Sequence, residues 1–162
     1  MSSDAAKVCE FTEGSQCPCP NQPQPMNREE VSFITSMVLS ELVELVQTVC
    51  ETDEEAIQFM HDRVQTDISH YQRSDDPDVV AADQADAAVD AIYYLYNCFG
   101  KKGINLSKVF DVVHQANMNK RDPTTNQFIR RESDGKVLKP VGWKPPNIVA
   151  EIKRQHQTGS WS

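Results

Sequence analysis

No apolar run in this 162-residue chain approaches the roughly 20 residues that a membrane span needs, and none of its partners is expected to be a bilayer. The opening stretch, Met1 to Gly14, lacks the basic and apolar regions of a secretory signal, so a cytoplasmic location is expected. The five cysteines (Cys9, Cys17, Cys19, Cys50 and Cys98) form an odd set. With no secretion signal, that count argues against a disulfide framework. No second Cys or His pair follows Cys17 and Cys19 at zinc-finger spacing, and Cys50 and Cys98 fall in apolar helical patterns where a free thiol acts as a small hydrophobe. Internal repeats are absent. Positive charge is scarce over most of the chain: residues 1–119 carry 7 Lys/Arg against 20 Asp/Glu, whereas residues 120–162 carry 9 against 4. An acidic body argues against duplex nucleic acid as a partner, because such binding rests on neutralising phosphates. The basic segment is either a solvated tail or a face for an anionic substrate.

What is present is helical. Residues 1–25 hold four prolines and no periodic pattern, which predicts a flexible tail. Asn27 and Glu30 form a capping-box pair behind Met26 as an apolar staple. Val31, Ile34, Val38, Leu42, Leu45 and Val49 then recur at helical spacing to about Cys50. Thr52 with Glu55 repeats the cap and opens a second helix whose apolar face is Ile57, Met60, Val64 and Ile68. Asp76 and Pro77 suit the N-cap and first positions of an alanine-rich third helix, which Gly100 and Gly103 end. Asn105 or Ser107 caps a fourth, with Leu106, Val109, Phe110, Val113 and Ala116 inward. Ser133-Asp134-Gly135 between two short apolar-bearing stretches predicts a small β-hairpin, and Asn147 caps a last short helix. The expected fold is all-α: a four- to five-helix bundle over residues 26–156 with a short late hairpin or loop, and a C-terminal tail at 157–162.

The chemistry lies in acids set among apolar residues. Glu41 and Glu44 stand at i,i+3 amid Val38, Leu39, Leu42, Val43, Leu45 and Val46. Asp83, Asp86 and Asp90 fall on one stripe of the alanine-rich helix. Residues three apart share a helix face. If the two helices pack together, four carboxylates converge and repel one another unless a cation neutralises them. Oxygen-only ligands favour hard cations, magnesium above all. Solvated charged faces are the plain alternative. At the end of the fourth helix, Asn117 and Lys120 can reach one ligand together, and Lys120 and Arg121 suit phosphate oxygens. The plain alternative there is complementation of the helix dipole.

Taken in order, these segments resemble the all-α nucleoside triphosphate pyrophosphohydrolases, the MazG-like and phosphoribosyl-ATP pyrophosphohydrolase-like superfamily. Ser40-Glu41-Leu42-Val43-Glu44 resembles its Glu-Glu-x-x-Glu helix, and Asp83-Gln84-Ala85-Asp86 its Glu-x-x-Asp helix. Asp86 to Tyr93 resembles an Asp-Ala-x-x-Asp-x-x-Tyr continuation, and Gly103-Ile104-Asn105 a Gly-Ile-Asp helix opening. His114 to Lys120 resembles His-x-x-Asn-Met-x-Lys, and Gly142 to Asn147 a Gly-Trp-x-Pro-Pro-Asp closing motif. The likeness covers roughly residues 27–149, and the chain departs from it at Ser40 and Asp83.

The resemblance implies that Glu41, Glu44, Asp83 and Asp86 ligate magnesium, with manganese as a substitute. Asp90 would join them or support them from behind. It implies attack of an activated water on the α-phosphorus of a (deoxy)nucleoside triphosphate, giving the monophosphate and pyrophosphate. Asn117, Lys120 and Arg121 would hold phosphate oxygens. Tyr93 or Tyr96 would stack on or hydrogen-bond the nucleotide, the plain alternative being an aromatic of the bundle core. Helices this short seldom enclose a site alone, so a homodimer, or a dimer of dimers, is expected. Phosphoribosyl-ATP hydrolysis and a catalytically silent helical module remain as alternatives, the second because Ser40 stands where the family carries a carboxylate.

Overall fold

The computed structural model describes residues 3–15, 22–66, 71–132 and 135–161. They form six helices in chain order: α1 (Asp4–Gly14), α2 (Arg28–Gln47), α3 (Asp53–Thr66), α4 (Pro77–Gly100), α5 (Leu106–Met118) and α6 (Ile148–Thr158). The chain divides into two compact units, residues 23–87 and residues 1–22 with 88–162.

The 23–87 unit is built from local caps. The Asn27 side chain accepts from the Glu30 backbone N–H at 2.9 Å, and the Glu30 carboxylate accepts from the Asn27 N–H at 2.8 Å. This reciprocal pair satisfies two of the unpaired N–H groups that open α2. Thr52 and Glu55 repeat the arrangement at α3: the Thr52 hydroxyl accepts from the Glu55 N–H, and the Glu55 carboxylate from the Glu51 N–H. Asp76 accepts from the Asp78 N–H at 2.9 Å to open α4. Helix α2 packs along α3, with Ala56 fully buried and the Gln47 amide donating to Asp53 at 2.8 Å. Ahead of α2, the Met26 backbone both donates to and accepts from the Gln84 amide of α4, at 2.7 and 3.0 Å. Beyond that link, α2 does not pack on the part of α4 that belongs to this unit, among the described residues. Neither α2 nor α4 holds a buried residue. Phe33, Val49 and Ile57 are 66%, 79% and 63% exposed.

The other unit is centred on α5, which packs against both α1 and α6. The tail expected over residues 1–25 therefore contains a helix. Ser3 caps α1. Its Lys7 ammonium donates to Asp4 at 3.0 Å and to Asp111 on α5, and Asp4 accepts from the Tyr96 hydroxyl at 2.9 Å. Phe11 meets Phe128 edge to face, 5.1 Å between centroids, and Phe128 is buried. Asn105, not Ser107, caps α5, and its backbone is clasped by the Gln155 amide of α6: the Asn105 N–H donates at 2.9 Å and its carbonyl accepts at 3.2 Å. Asn147 caps α6 as expected.

Two features differ from expectation. No β-sheet forms among the described residues: Arg121 pairs with Phe128 and Arg130 with Val137 as isolated antiparallel bridges, not as strands. The Arg131 N–H donates to the Lys136 carbonyl and the Leu138 N–H to Ile129, so the chain reverses where a hairpin was expected without building a ladder. Gly135 turns there at φ 69°, a conformation that suits glycine. The helix count is six because α1 adds to the expected elements. Ile68, Cys17, Cys19, Ser133 and Asp134, named in the sequence reading, lie outside the described residues. Among the described residues, no helix is long and apolar enough to cross a membrane.

Candidate active site

Glu41 and Glu44 are exposed on successive turns of α2. The Ser40 hydroxyl beside them donates back to the Met37 carbonyl at 2.7 Å, which commits it to the helix backbone. Asp83, Asp86 and Asp90 are exposed along α4. Asp83 accepts a hydrogen bond from the Tyr71 phenol at 2.9 Å. That bond, reinforced by partial burial and the Asp83 charge, raises the Tyr71 pKa above the ordinary phenol value. Tyr71, Arg73, Ser74 and Asp83 line an open cleft. No sequence pattern pointed to Tyr71, because it lies in a stretch without periodicity.

The chain brings Glu41 near Glu44, and Asp83 near Asp86. Within the 23–87 unit it does not bring the two pairs together, because α2 is not packed on α4. Among the described residues no group of three acidic, histidine or cysteine side chains is close enough to hold a metal ion. None of these five acids makes an ion pair among the described residues. The donors fit a hard cation in kind, being oxygen-only and uncompensated by Lys or Arg. In number, either pair alone falls short of a cage.

The end of α5 forms a second cluster. Asn117, Lys120 and Arg121 are all half-buried. The Lys120 ammonium lies 5.9 Å from the Phe11 ring centroid and 5.8 Å from that of Trp143. Arg121 covers Phe128 at 5.2 Å. Trp143 is fixed by its indole N–H, which donates to the Ala116 carbonyl at 2.8 Å, and Lys139 sits 4.4 Å from its ring centroid. Burial, and then the Lys139 and Lys136 charges, lower the Lys120 pKa below the ordinary lysine value. The Gly-Trp segment stood out in the sequence only as a closing motif, and nothing local to the sequence placed its tryptophan on the end of α5. Tyr93 is 71% exposed on α4. His114 stacks on Phe110 and faces Glu10 at 3.9 Å, a packing role.

An all-helical chain with unpaired carboxylate pairs on two helices and a lysine-arginine cluster at the end of a third has the parts of a phosphate-handling hydrolase. The family model for phosphoribosyl-ATP pyrophosphohydrolase matches residues 8–117. The chain belongs to that family. The crystal structure of a candidate NTP pyrophosphohydrolase from Exiguobacterium sp. 255-15 superposes with a TM-score of 0.83 at 28% identity, covering 96% of this chain and 97% of the other. No curated protein matches the sequence. The family and the structural relative together make this chain a nucleotide pyrophosphohydrolase in class.

Proposed function

We propose that the protein is a magnesium-dependent pyrophosphohydrolase that cleaves a (deoxy)nucleoside triphosphate to the monophosphate and pyrophosphate, acting in the cytoplasm as a homodimer or a dimer of dimers. The observation that carries this reading is the pairing of uncompensated carboxylates with two long helices that hold no fully buried residue. An amphipathic helix normally buries its apolar stripe. A second copy packed on α2 and α4 would cover that stripe and gather the carboxylate pairs into one oxygen-rich site. Magnesium there would supply neutralisation of the triphosphate charge and a lowered water pKa. Glu41, Glu44, Asp83 and Asp86 would hold it, with Asp90 alongside, and manganese would substitute. Tyr71 orients Asp83 through its phenol. Asn117, Lys120 and Arg121 would bind phosphate oxygens and align the α-phosphorus, and Tyr93 would meet the nucleotide.

Two other readings rest on particular observations. The matching family model is named for phosphoribosyl-ATP hydrolysis, and Ser40 replaces a carboxylate with a hydroxyl that is already engaged. One assay separates all three: pyrophosphate release with magnesium from a panel of NTPs, dNTPs and phosphoribosyl-ATP, for wild type and Glu44→Ala. Turnover of one or more triphosphates, abolished in Glu44→Ala, supports the proposal. Cleavage of phosphoribosyl-ATP alone replaces it, and no turnover of any compound leaves a binding module.

A further inference from the structure

Two cations share one aromatic ring at the end of α5. The Lys139 and Lys120 ammonium groups lie 4.4 and 5.8 Å from the Trp143 centroid. A single cation over a tryptophan is an ordinary structural contact. Two like charges on the same ring repel, and neither lysine has a carboxylate partner among the described residues. Both line one surface cleft of about 300 Å³, together with Ile129, Leu138 and Pro140. Asp122 also lines that cleft, but its carboxylate is taken up by the backbone N–H groups of Thr124 and Thr125, each at 2.9 Å. Those bonds lower its pKa below the ordinary carboxylate value, so it stays ionised and self-contained. The platform is anchored, because the indole N–H is held by the carbonyl of the buried Ala116. An anion bridging the two ammonium groups would relieve their repulsion and that of Lys136, which also depresses Lys120.

We propose that Lys139 and Lys120, seated on Trp143, form a clamp for the oxygens of a polyphosphate chain, with Lys139 as a binding residue of the substrate site. The inference rests on the reading that the substrate is a nucleotide polyphosphate. It extends the phosphate contacts beyond Asn117, Lys120 and Arg121. It also explains the Gly-Trp segment, which presents Lys139 and Trp143 to the end of α5.

Tripolyphosphate without magnesium is the probe, and Trp143 fluorescence the signal. The full chain carries Trp161→Phe to remove the other indole, which is 71% exposed. A saturable fluorescence change is expected. Lys139→Gln should weaken tripolyphosphate about tenfold, the worth of one charge-assisted contact. Lys139→Arg should keep most of the affinity. Lys102→Gln, which removes the same charge from the turn after α4, should leave it unchanged. Unaltered affinity in Lys139→Gln, or an equal loss in Lys102→Gln, overturns the clamp. Lys139-dependent binding without turnover of any nucleotide would remove the pyrophosphohydrolase reading and leave the clamp standing. Normal nucleotide turnover with Lys139-independent affinity would do the reverse.

Discussion

Phe33 lies on the uncovered face of α2 and is 66% exposed. A phenylalanine offers on the order of 200 Å² to a partner, so about 130 Å² of it remains open. At about 25 cal/mol per Å², covering that area is worth about 3 kcal/mol. Across a two-fold interface the same residue is counted once from each copy, which gives about 6 kcal/mol per dimer. Association converts area to affinity incompletely. If only half is realised, Phe33→Asp should still weaken the dimer by more than about a hundredfold. Sedimentation equilibrium at micromolar concentration should show wild type at twice the 18.3 kDa chain mass, or at a higher even multiple. The variant should move toward 18.3 kDa and lose turnover with its partner. A wild-type protein that sediments as a monomer and turns over fully would refute the reasoning. So would a variant that associates as tightly as wild type.

The clasp between α6 and α5 gives a second expectation. Gln155→Leu keeps the volume and strips partners from the Asn105 N–H and carbonyl, which should cost about 1–3 kcal/mol and lower Tm by several degrees; an unchanged Tm would show that the clasp contributes nothing. The third concerns acid. Two guanidinium hydrogen bonds from Arg154, aided by the Gln155 amide, hold the Glu151 carboxyl at about 2, from an ordinary value of 4.5. Because the folded value is the lower one, Glu151 stabilises the fold fully above about 4.5, and that contribution fades as pH falls toward about 2. Denaturant titrations should find wild type more stable than Glu151→Gln at neutral pH and the gap closing across that window. A gap independent of pH would contradict the assignment.

The helices from α2 onward were legible because their starts are written locally. Asn27, Asp76 and Asn147 each cap where the spacing placed them, and Asn105 is the one of two candidates that caps α5. Helix α1 was not legible. It is 11 residues long, and what fixes it is tertiary: Lys7 on Asp111, Tyr96 on Asp4 and Phe11 on Phe128. Short helices depend on such contacts, not on intrinsic propensity. Periodicity told which side of α2 is apolar but not what covers it, and Val31, Ile34 and Val38 remain 37%, 43% and 49% exposed. The same gap separates the two halves of the site. Spacing within one helix paired Glu41 with Glu44 and Asp83 with Asp86, whereas the distance between helices depends on packing that no single segment encodes. Tyr71 on Asp83 and Lys139 on Trp143 are likewise meetings that involve a segment with no period of its own.

The Gln155 clasp also bears on the order in which the protein can be made. Helix α5, which carries Asn117 and leads into Lys120, has its first turn held by residues that leave the ribosome after it: Gln155 grips the Asn105 backbone, and the Ser160 carbonyl accepts from the Asn105 amide. A nascent chain stalled or cut ahead of Gln155 would display every carboxylate and every lysine of the candidate site, yet its α5 would lack that anchor. The anchoring of the candidate phosphate-binding end thus waits on a segment made well after it, an order written into the chain and not into the site itself.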